Sequence, residues 1–245
     1  SAAPAGVLLR CVGREAGGST WDHRALPFEL PPGVQVVMAD VSCGANTPSM
    51  VKKVAAWRKA DADADALWSQ YAAASAALQD ALSELCALYR RLAGEAAVEE
   101  RWAAPLRRCG GLLPEQWESE GDVGRFLGRV RKHCLGTRRL LREVSRRAET
   151  PIEPPEQTEL LDATMAQPGV LMAVVPGAGG NDALITLVLP SDADPPGAPT
   201  SGTRRKLEAL WSSWAAGGAA RGAVCELPVG ESDGAAGGHN GVLRE

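Results

Sequence analysis

The sequence predicts an α+β fold in which long helices pack on one face of a mainly antiparallel sheet. Two stretches, 62–93 and 122–148, carry apolar side chains at helical spacing over an unusual length. Short runs rich in β-branched residues, at 34–41, 170–175 and 183–189, are typical of strands. Long helices in the first part of the chain and a strand-loop-strand unit near its end favour a two-layer sandwich.

The first strand and the helix after it are clearly marked. VQVVMADV, Val34 to Val41, follows Pro-Pro-Gly and ends at a Ser/Gly/Asn/Thr/Pro loop, so we predict a buried strand. Thr47 offers a hydroxyl cap and Pro48 occupies the first helical position, which is typical of a helix start. Apolar residues at helical spacing extend this helix to about Ala60.

Two long amphipathic helices are predicted next. The first, 62–93, has no internal proline or glycine and ends near Gly94. The second, 122–148, has an apolar arc opposite a basic one, formed by Arg125, Arg129, Lys132, Arg139, Arg142 and Arg146. The chain has a formal charge of -4, and no aromatic residues alternate with these arginines. We therefore predict a solvated face and no nucleic-acid partner.

A Pro-Ile-Glu-Pro-Pro linker at 151–155 separates these helices from the last part of the chain. There the sequence predicts, in order, a helix at 157–165, strands at 170–175 and 183–189, a helix at 204–216 and an edge strand at 222–227. Residues 230–245 are rich in glycine and polar residues, and we predict a disordered tail.

Composition narrows the class of protein. The 245 residues are 45% hydrophobic, enough to bury a substantial core. No apolar run approaches the roughly 18 residues of a membrane-spanning helix, and the N-terminal residues lack a signal-peptide layout, so we expect a cytoplasmic protein without a membrane partner. The six cysteines form no CxxC pair and have no histidine at ligand spacing, which favours free thiols over a metal site.

A glycine-rich loop, VPGAGGND at 175–182, lies between two predicted strands. Glycine adopts positive φ and lacks a Cβ, so such a loop can direct successive backbone N–H groups to one point and bind an anion. A dinucleotide fingerprint would open a helix, whereas the strand-like ALITLVL follows here. No GxxxxGK[ST] phosphate loop occurs either. Taken alone, the loop is more simply explained as a wide hairpin turn.

The stretch IEPPEQTELLDATMAQPGVLMAVVPGAGGNDAL, 152–184, resembles phosphomevalonate kinases of the plant and fungal type, in the GHMP kinase superfamily. WDHRALPFELPPG at 21–33, VQVVMADV and NTPSMVKKVAAWRK at 46–59 stand in the order that this family uses. The resemblance implies a ferredoxin-like domain of an enzyme that transfers the γ-phosphoryl group of ATP, with Mg²⁺, to 5-phosphomevalonate. The product, 5-diphosphomevalonate, belongs to the mevalonate pathway of isoprenoid and sterol biosynthesis.

The resemblance also implies site residues. In the superfamily the late glycine motif lines the cleft beside the phosphate-binding loop, and the matching residues here are Gly177, Ala178, Gly179, Gly180 and Asp182. Thr47 and Ser49 match the element near the acceptor substrate, where a helix N-terminus suits an anion. Lys52, Arg139 and Arg142 are further candidate anion contacts. Val174 and Asn181 stand where relatives usually have a glycine and an aromatic residue.

Motifs of the family's N-terminal half do not occur in these 245 residues. The missing motifs are the early lysine, the serine-rich phosphate loop and the segment with the catalytic aspartate. The chain therefore looks like a C-terminal half, with 1–33 connecting to a missing N-terminal kinase domain and 34–229 forming the substrate-side domain. We assign no catalytic residue and no metal ligand to it, and we expect the segment alone to be inactive. A peroxisomal location stays open, as does a non-catalytic interaction or regulatory module on the same fold.

Overall fold

The computed structural model describes residues 30–41, 46–94, 97–192, 202–216 and 224–227. Its strands form one sheet in the order β2-β3-β1-β4, with every neighbouring pair antiparallel. These strands are β1 (Gln35–Asp40), β2 (Val170–Val174), β3 (Ala183–Val188) and β4 (Cys225–Leu227). Helices precede β2 and β4, so the order is that of a ferredoxin-like β-α-β-β-α-β unit with extra helices.

The helices form the second layer of the sandwich. They are α1 (Thr47–Ala60), α2 (Ala64–Ala93), α3 (Ala104–Gly111), α4 (Gly121–Arg147), α5 (Pro155–Met165) and α6 (Gly202–Ala216). A π-helical turn, Glu99–Ala103, leads into α3, and a 3-10 segment, Pro114–Glu120, leads into α4. The predicted α+β class and the predicted elements are confirmed. Helix α3 was not predicted, because prolines and glycines interrupt the helical pattern there.

The core lies between one face of the sheet and the long helices. Val37 pairs with Thr186 and Ala39 with Leu184, so these four side chains share one face, and none is more than 2% exposed. Leu85 of α2 and Leu127 of α4 belong to the same buried cluster. Helices α2 and α4 pack along each other, which explains why the apolar arc of each is so long.

The two segments that the sequence singled out both adjoin, along the chain, the end of the sheet where β1 finishes and β3 begins. Asp40 at the end of β1 pairs with Ala183 at the start of β3, and the Val41 N–H donates to the Asp182 carbonyl at 2.8 Å. The glycine loop joins β2 to β3 at this end of the sheet. Helix α1 begins six residues after Val41. The glycine loop therefore lies at the end of the sheet where β1 finishes, and α1 follows that end along the chain.

Parts of three predictions lie outside the described residues. These parts are the whole tail 230–245, residues 1–29 of the segment 1–33, and residues 222 and 223 of the last strand. The proposed domain limits stay predictions.

Candidate functional site

The glycine loop contains a tight turn closed on itself. The Gly179 N–H donates to the Pro176 carbonyl at 3.1 Å, and Gly177, the first central residue, has φ +60°. A positive φ at the first central residue, without one at Ala178, is the mark of a type II′ turn, which glycine accommodates without strain. Gly177 is exposed, and a Cβ added to it would meet nothing within 4 Å. The tip of the turn is therefore open to a ligand.

The second half of the loop packs against the linker between α4 and α5. The Gly180 N–H donates to the Ile152 carbonyl at 2.7 Å. A Cβ on Gly179, whose φ is +81°, would lie 2.3 Å from that same carbonyl oxygen and 2.6 Å from the Ile152 Cγ2. Both glycines are buried. Position 179 therefore requires glycine because its backbone packs directly against Ile152.

The open tip and the packed second half of the loop differ in whether their backbone amides can bind a ligand. The N–H groups of Gly179 and Gly180 are already hydrogen-bonded within the protein. Among the residues that the structure describes, the amides of Gly177 and Ala178 have no such partner. Successive free amides at a turn are suited to a phosphate oxygen. Of the predicted loop residues, these two have the geometry of an anion site.

The two residues that follow join the loop to the sheet. Asp182 is partly buried, and its carbonyl pairs with the Val41 amide of β1. The Asn181 Oδ1 is buried, and no hydrogen bond reaches it from the described part of the chain.

Helix α1 begins with an exposed hydroxyl cluster, although its cap is one residue earlier than predicted. Asn46 is the N-cap, and its Oδ1 accepts a hydrogen bond from the Ser49 N–H at 3.0 Å. The prediction that Thr47 caps the helix is therefore wrong, because the asparagine side chain already satisfies that amide. Thr47, Ser49 and Lys52 are all exposed. Their polar groups face solvent at the positive end of the helix dipole.

Ile152 connects this helix with the glycine loop. Its backbone contacts Gly179 and Gly180, while its side chain packs on a second hydrophobic cluster. The buried members of that cluster are Trp57, Ala64, Leu67, Val144 and Ala148. Trp57 lies in the last turn of α1, so this cluster joins the linker to the C-terminal part of that helix. The contacts of Ile152 therefore do not reach Thr47 and Ser49 at the start of α1.

The two candidate arginines of α4 differ in their surroundings. Arg139 is exposed. The Arg142 guanidinium donates to the Glu153 Oε1 at 2.9 Å, with 36% of its side chain exposed. Arg142 also borders a cleft of about 710 Å³ whose other lining residues come from the end of α4, the linker and the start of α5. Because the neighbouring carboxylate already neutralises Arg142, Arg139 is the freer of the two cations.

The sequence interpretation missed two arginines of α4, one buried and one half-buried, that bond to the protein interior. Arg138 is 1% exposed and forms ion pairs with Glu153 at 2.7 Å and Asp162 at 2.8 Å. Burial acts to lower the pKa of Arg138, but the bonds and charges of these two carboxylates outweigh it and raise the pKa above its usual value. Arg131 donates to the carbonyls of Met165 and Val170. The signal was their spacing of seven residues, which places both on the apolar arc.

The basic arc of α4 is largely neutralised by ion pairs. Four of its six members face acidic side chains, as in the pairs Arg129–Glu84 and Arg146–Glu143, each at 2.6 Å. The remaining two pairs are Arg125–Asp122 and Arg142–Glu153. A phosphate backbone would have to compete with these carboxylates, so the arc is a poor surface for a polyanion.

The cysteines and acidic residues that the structure describes do not form a metal centre. Burial raises the pKa of the Cys109 thiol to about 12 and that of Cys134 to about 11, so both are neutral thiols. In the described ranges no three His, Cys, Asp or Glu side chains are grouped to hold a metal ion. The free turn amides fit a nucleotide phosphate, but these residues do not fit a magnesium site. None of the helices in the same ranges combines the length and apolar character that a membrane span requires.

Comparison with known proteins identifies relatives. The chain is 37% identical over 185 residues to a phosphomevalonate kinase of Aspergillus fumigatus, covering 74% of this chain and 32% of that protein. It is 34% identical over 205 residues to a peroxisomal phosphomevalonate kinase of Arabidopsis thaliana, covering 79% and 36%. A phosphomevalonate kinase of Candida albicans is 29% identical over 172 residues, covering 70% and 34%.

Two further comparisons add nothing to this relationship. No protein-family model matches the chain. The structure of a Lin0012 protein from Listeria innocua superposes over 82% of the chain and 39% of that protein, with a TM-score of 0.43 and 16% identity, which is too weak a likeness to support an argument. The chain spans about a third of the length of the curated relatives it matches. Over that third, the chain is a homologue of the phosphomevalonate kinases.

Proposed function

We propose that this chain is the substrate-side part of a phosphomevalonate kinase, an enzyme that transfers the γ-phosphoryl group of ATP to 5-phosphomevalonate. The observation that carries the proposal is the pair of free amides at Gly177 and Ala178, in a loop at the end of the sheet from which the chain leads into α1. Homology to the kinases over part of their length supports the choice of substrate class. In this proposal the chain binds and orients phosphates, and other parts of the longer protein supply the catalytic groups.

The residues of this chain contribute positive potential and hydrogen-bond donors. The amides of Gly177 and Ala178 donate to phosphate oxygens, and the Thr47 and Ser49 hydroxyls add donors at the N-terminus of α1. Lys52, one turn into the helix, and Arg139 add positive charge near the same anions. Phosphoryl transfer depends mainly on position and charge neutralisation, so such donors lower the barrier without covalent chemistry.

ATP and Mg²⁺ are the proposed cofactors, and the nucleotide supplies the phosphoryl group when it is bound. Since no acidic cluster among the described residues fits a metal ion, we assign no magnesium ligand to this chain. We propose that residues 1–33 lead from an N-terminal domain carrying the phosphate loop and the catalytic lysine and aspartate. The proposed location is the cytoplasm, and the peroxisome, named for the Arabidopsis relative, is the other compartment to examine.

A kinase assay on two proteins tests the proposal. The longer protein that contains this chain should convert ATP and phosphomevalonate to ADP and diphosphomevalonate in the presence of Mg²⁺, whereas the 245-residue chain should not. Turnover by the chain alone would show that it contains its own catalytic groups. A longer protein that binds neither substrate would favour the non-catalytic interaction module.

Substitution of Thr47 tests the site within the longer protein. We expect Thr47→Val to raise the KM for phosphomevalonate about tenfold or more, because a hydrogen bond to a charged group contributes about 1.5–3 kcal/mol. Ser213→Ala, which removes an exposed hydroxyl from α6, is the matched control and should leave KM unchanged. An equal effect of the two substitutions would remove Thr47 from the site.

A further inference from the structure

The linker between α4 and α5 is held in one conformation by the last turn of α4. The Ser145 hydroxyl donates to the Thr150 carbonyl at 2.5 Å and accepts from the Ile152 N–H at 3.0 Å. Thr150 is 2% exposed, and Glu149 adopts φ +46°, the one positive φ of a non-glycine residue in the described ranges. A strained residue persists only where the surroundings determine its conformation. The path of this linker is therefore specified by tertiary contacts.

Glu153, which follows Ile152 in the linker, has a fully buried carboxylate, with a side-chain exposure of 0%. It accepts hydrogen bonds from Arg138 at 2.7 Å, from Arg142 at 2.9 Å and from the Thr158 hydroxyl at 3.2 Å. A buried ion pair contributes little net stability, because desolvation offsets most of the attraction. It is nevertheless directional, since several donors converge on one carboxylate. The ion pair therefore does more to fix the position of the Glu153 side chain than to stabilise the fold.

The peptide group that joins Ile152 to Glu153 transmits this position to the glycine loop. The carbonyl of Ile152 lies in the same rigid plane as the Glu153 amide nitrogen. That carbonyl accepts the Gly180 N–H at 2.7 Å, and Gly179 packs directly on it. Any rotation of the plane would move the acceptor away from Gly180. The Cβ of Glu153 is thus four covalent bonds, and its carboxylate carbon six, from the oxygen atom that holds the loop.

We propose that Glu153, held by Arg138, is a positioning residue that orients the Ile152–Glu153 peptide plane and so fixes the glycine loop with its Gly177 and Ala178 amides free. The consequence for phosphate binding rests on the function proposed above. The positioning itself does not, because it concerns only contacts within the chain.

Hydrogen exchange on the 245-residue chain separates positioning from simple stabilisation. Glu153→Gln removes the charge, and the double variant Arg138→Met with Glu153→Leu removes both charges, so that no unpaired ion is buried and the fold is kept. The other partners can hydrate, since Arg142 and Asp162 are 36% and 58% exposed. In both variants we expect the protection of the Gly180 amide to fall about tenfold relative to that of Leu189, whose amide bonds to Gly169.

The control double variant, Arg108→Met with Glu120→Gln, removes a 2.6 Å ion pair between α3 and the 3-10 segment, and it should leave the protection of the Gly180 amide unchanged. If protection of Gly180 in the folded double variant falls only in parallel with that of Leu189, the ion pair merely stabilises the fold and the proposal is wrong. In the longer protein, Glu153→Gln should raise the KM for a phosphorylated substrate, and an unchanged KM would refute the consequence for binding. A wild-type protein without kinase activity would refute the proposed function and leave the exchange result valid.

Discussion

Alanine at position 179 should destabilise the fold far more than alanine at position 177, although both glycines have positive φ in one loop. Each substitution forces an L-residue into the left-handed region, at about 1–2 kcal/mol. At Gly177 nothing lies within 4 Å of the new Cβ, so this strain is the whole cost. At Gly179 the Cβ would approach the Ile152 carbonyl to 2.3 Å, and the loop must move.

Movement of the loop adds a second loss at position 179. It breaks the Gly180–Ile152 hydrogen bond and leaves a buried amide unsatisfied, which costs about 1–3 kcal/mol. The expected destabilisation is therefore about 2–5 kcal/mol for Gly179→Ala and about 1–2 kcal/mol for Gly177→Ala. The entropy that alanine removes from the unfolded chain is common to both and cancels in the difference.

Urea unfolding followed by tryptophan fluorescence measures both free energies, provided that the m-values agree. Gly136→Ala is a useful control, because Gly136 lies within α4 with open space around its Cβ position and should gain about 0.5–1 kcal/mol. A difference of less than about 0.5 kcal/mol between the two loop variants would show that Gly179 does not need its bare backbone for the contact with Ile152.

Two further predictions concern protonation. Hydrogen bonds from the Trp57 indole and the Asp63 amide, together with Arg147, lower the pKa of Asp61 below its ordinary value of 3.8. The ionised Asp61 therefore stabilises the fold above that pH, and this stabilisation is lost as the pH falls through the pKa of the folded state. The difference in unfolding free energy between wild type and Asp61→Asn, measured in urea, should shrink on acidification, and a constant difference would contradict the assignment. At pH 8, iodoacetamide should leave Cys109 and Cys134 unmodified in the folded chain, because burial raises their pKa values to about 12 and 11, and mass mapping of modification at either site without denaturant would contradict their burial.

Local patterns were sufficient to predict most elements of the fold. Helical spacing at 62–93 and 122–148 led to α2 and α4, and the β-branched runs led to β1, β2 and β3 within one or two residues of their ends. These signals are strong because each element buries one continuous face, so its periodicity is written directly in the chain. The segment with α3 lacked such a period, since the π-helical turn, Pro105 and the 3-10 segment that begins at Pro114 interrupt it.

The candidate site depended much more on contacts between distant parts of the chain. The glycine motif was visible in the sequence, but nothing local distinguishes Gly179, which packs on Ile152, from Gly177, which is open. The cap of α1 was assigned to Thr47 because a hydroxyl before a proline is a common cap, whereas Asn46 competes successfully for the same amide.

The buried arginines illustrate the same division. Arginine is usually a surface residue. Only the convergence of α4, the linker and α5 supplies the carboxylates that allow Arg138 to be buried and the carbonyls that hold Arg131 half-buried. The pairing of Gly180 with Ile152 joins residues 28 positions apart along the chain. Periodicity and turn chemistry report on neighbours in sequence, and the partner of a side chain or amide across such a distance is set by how the helices pack.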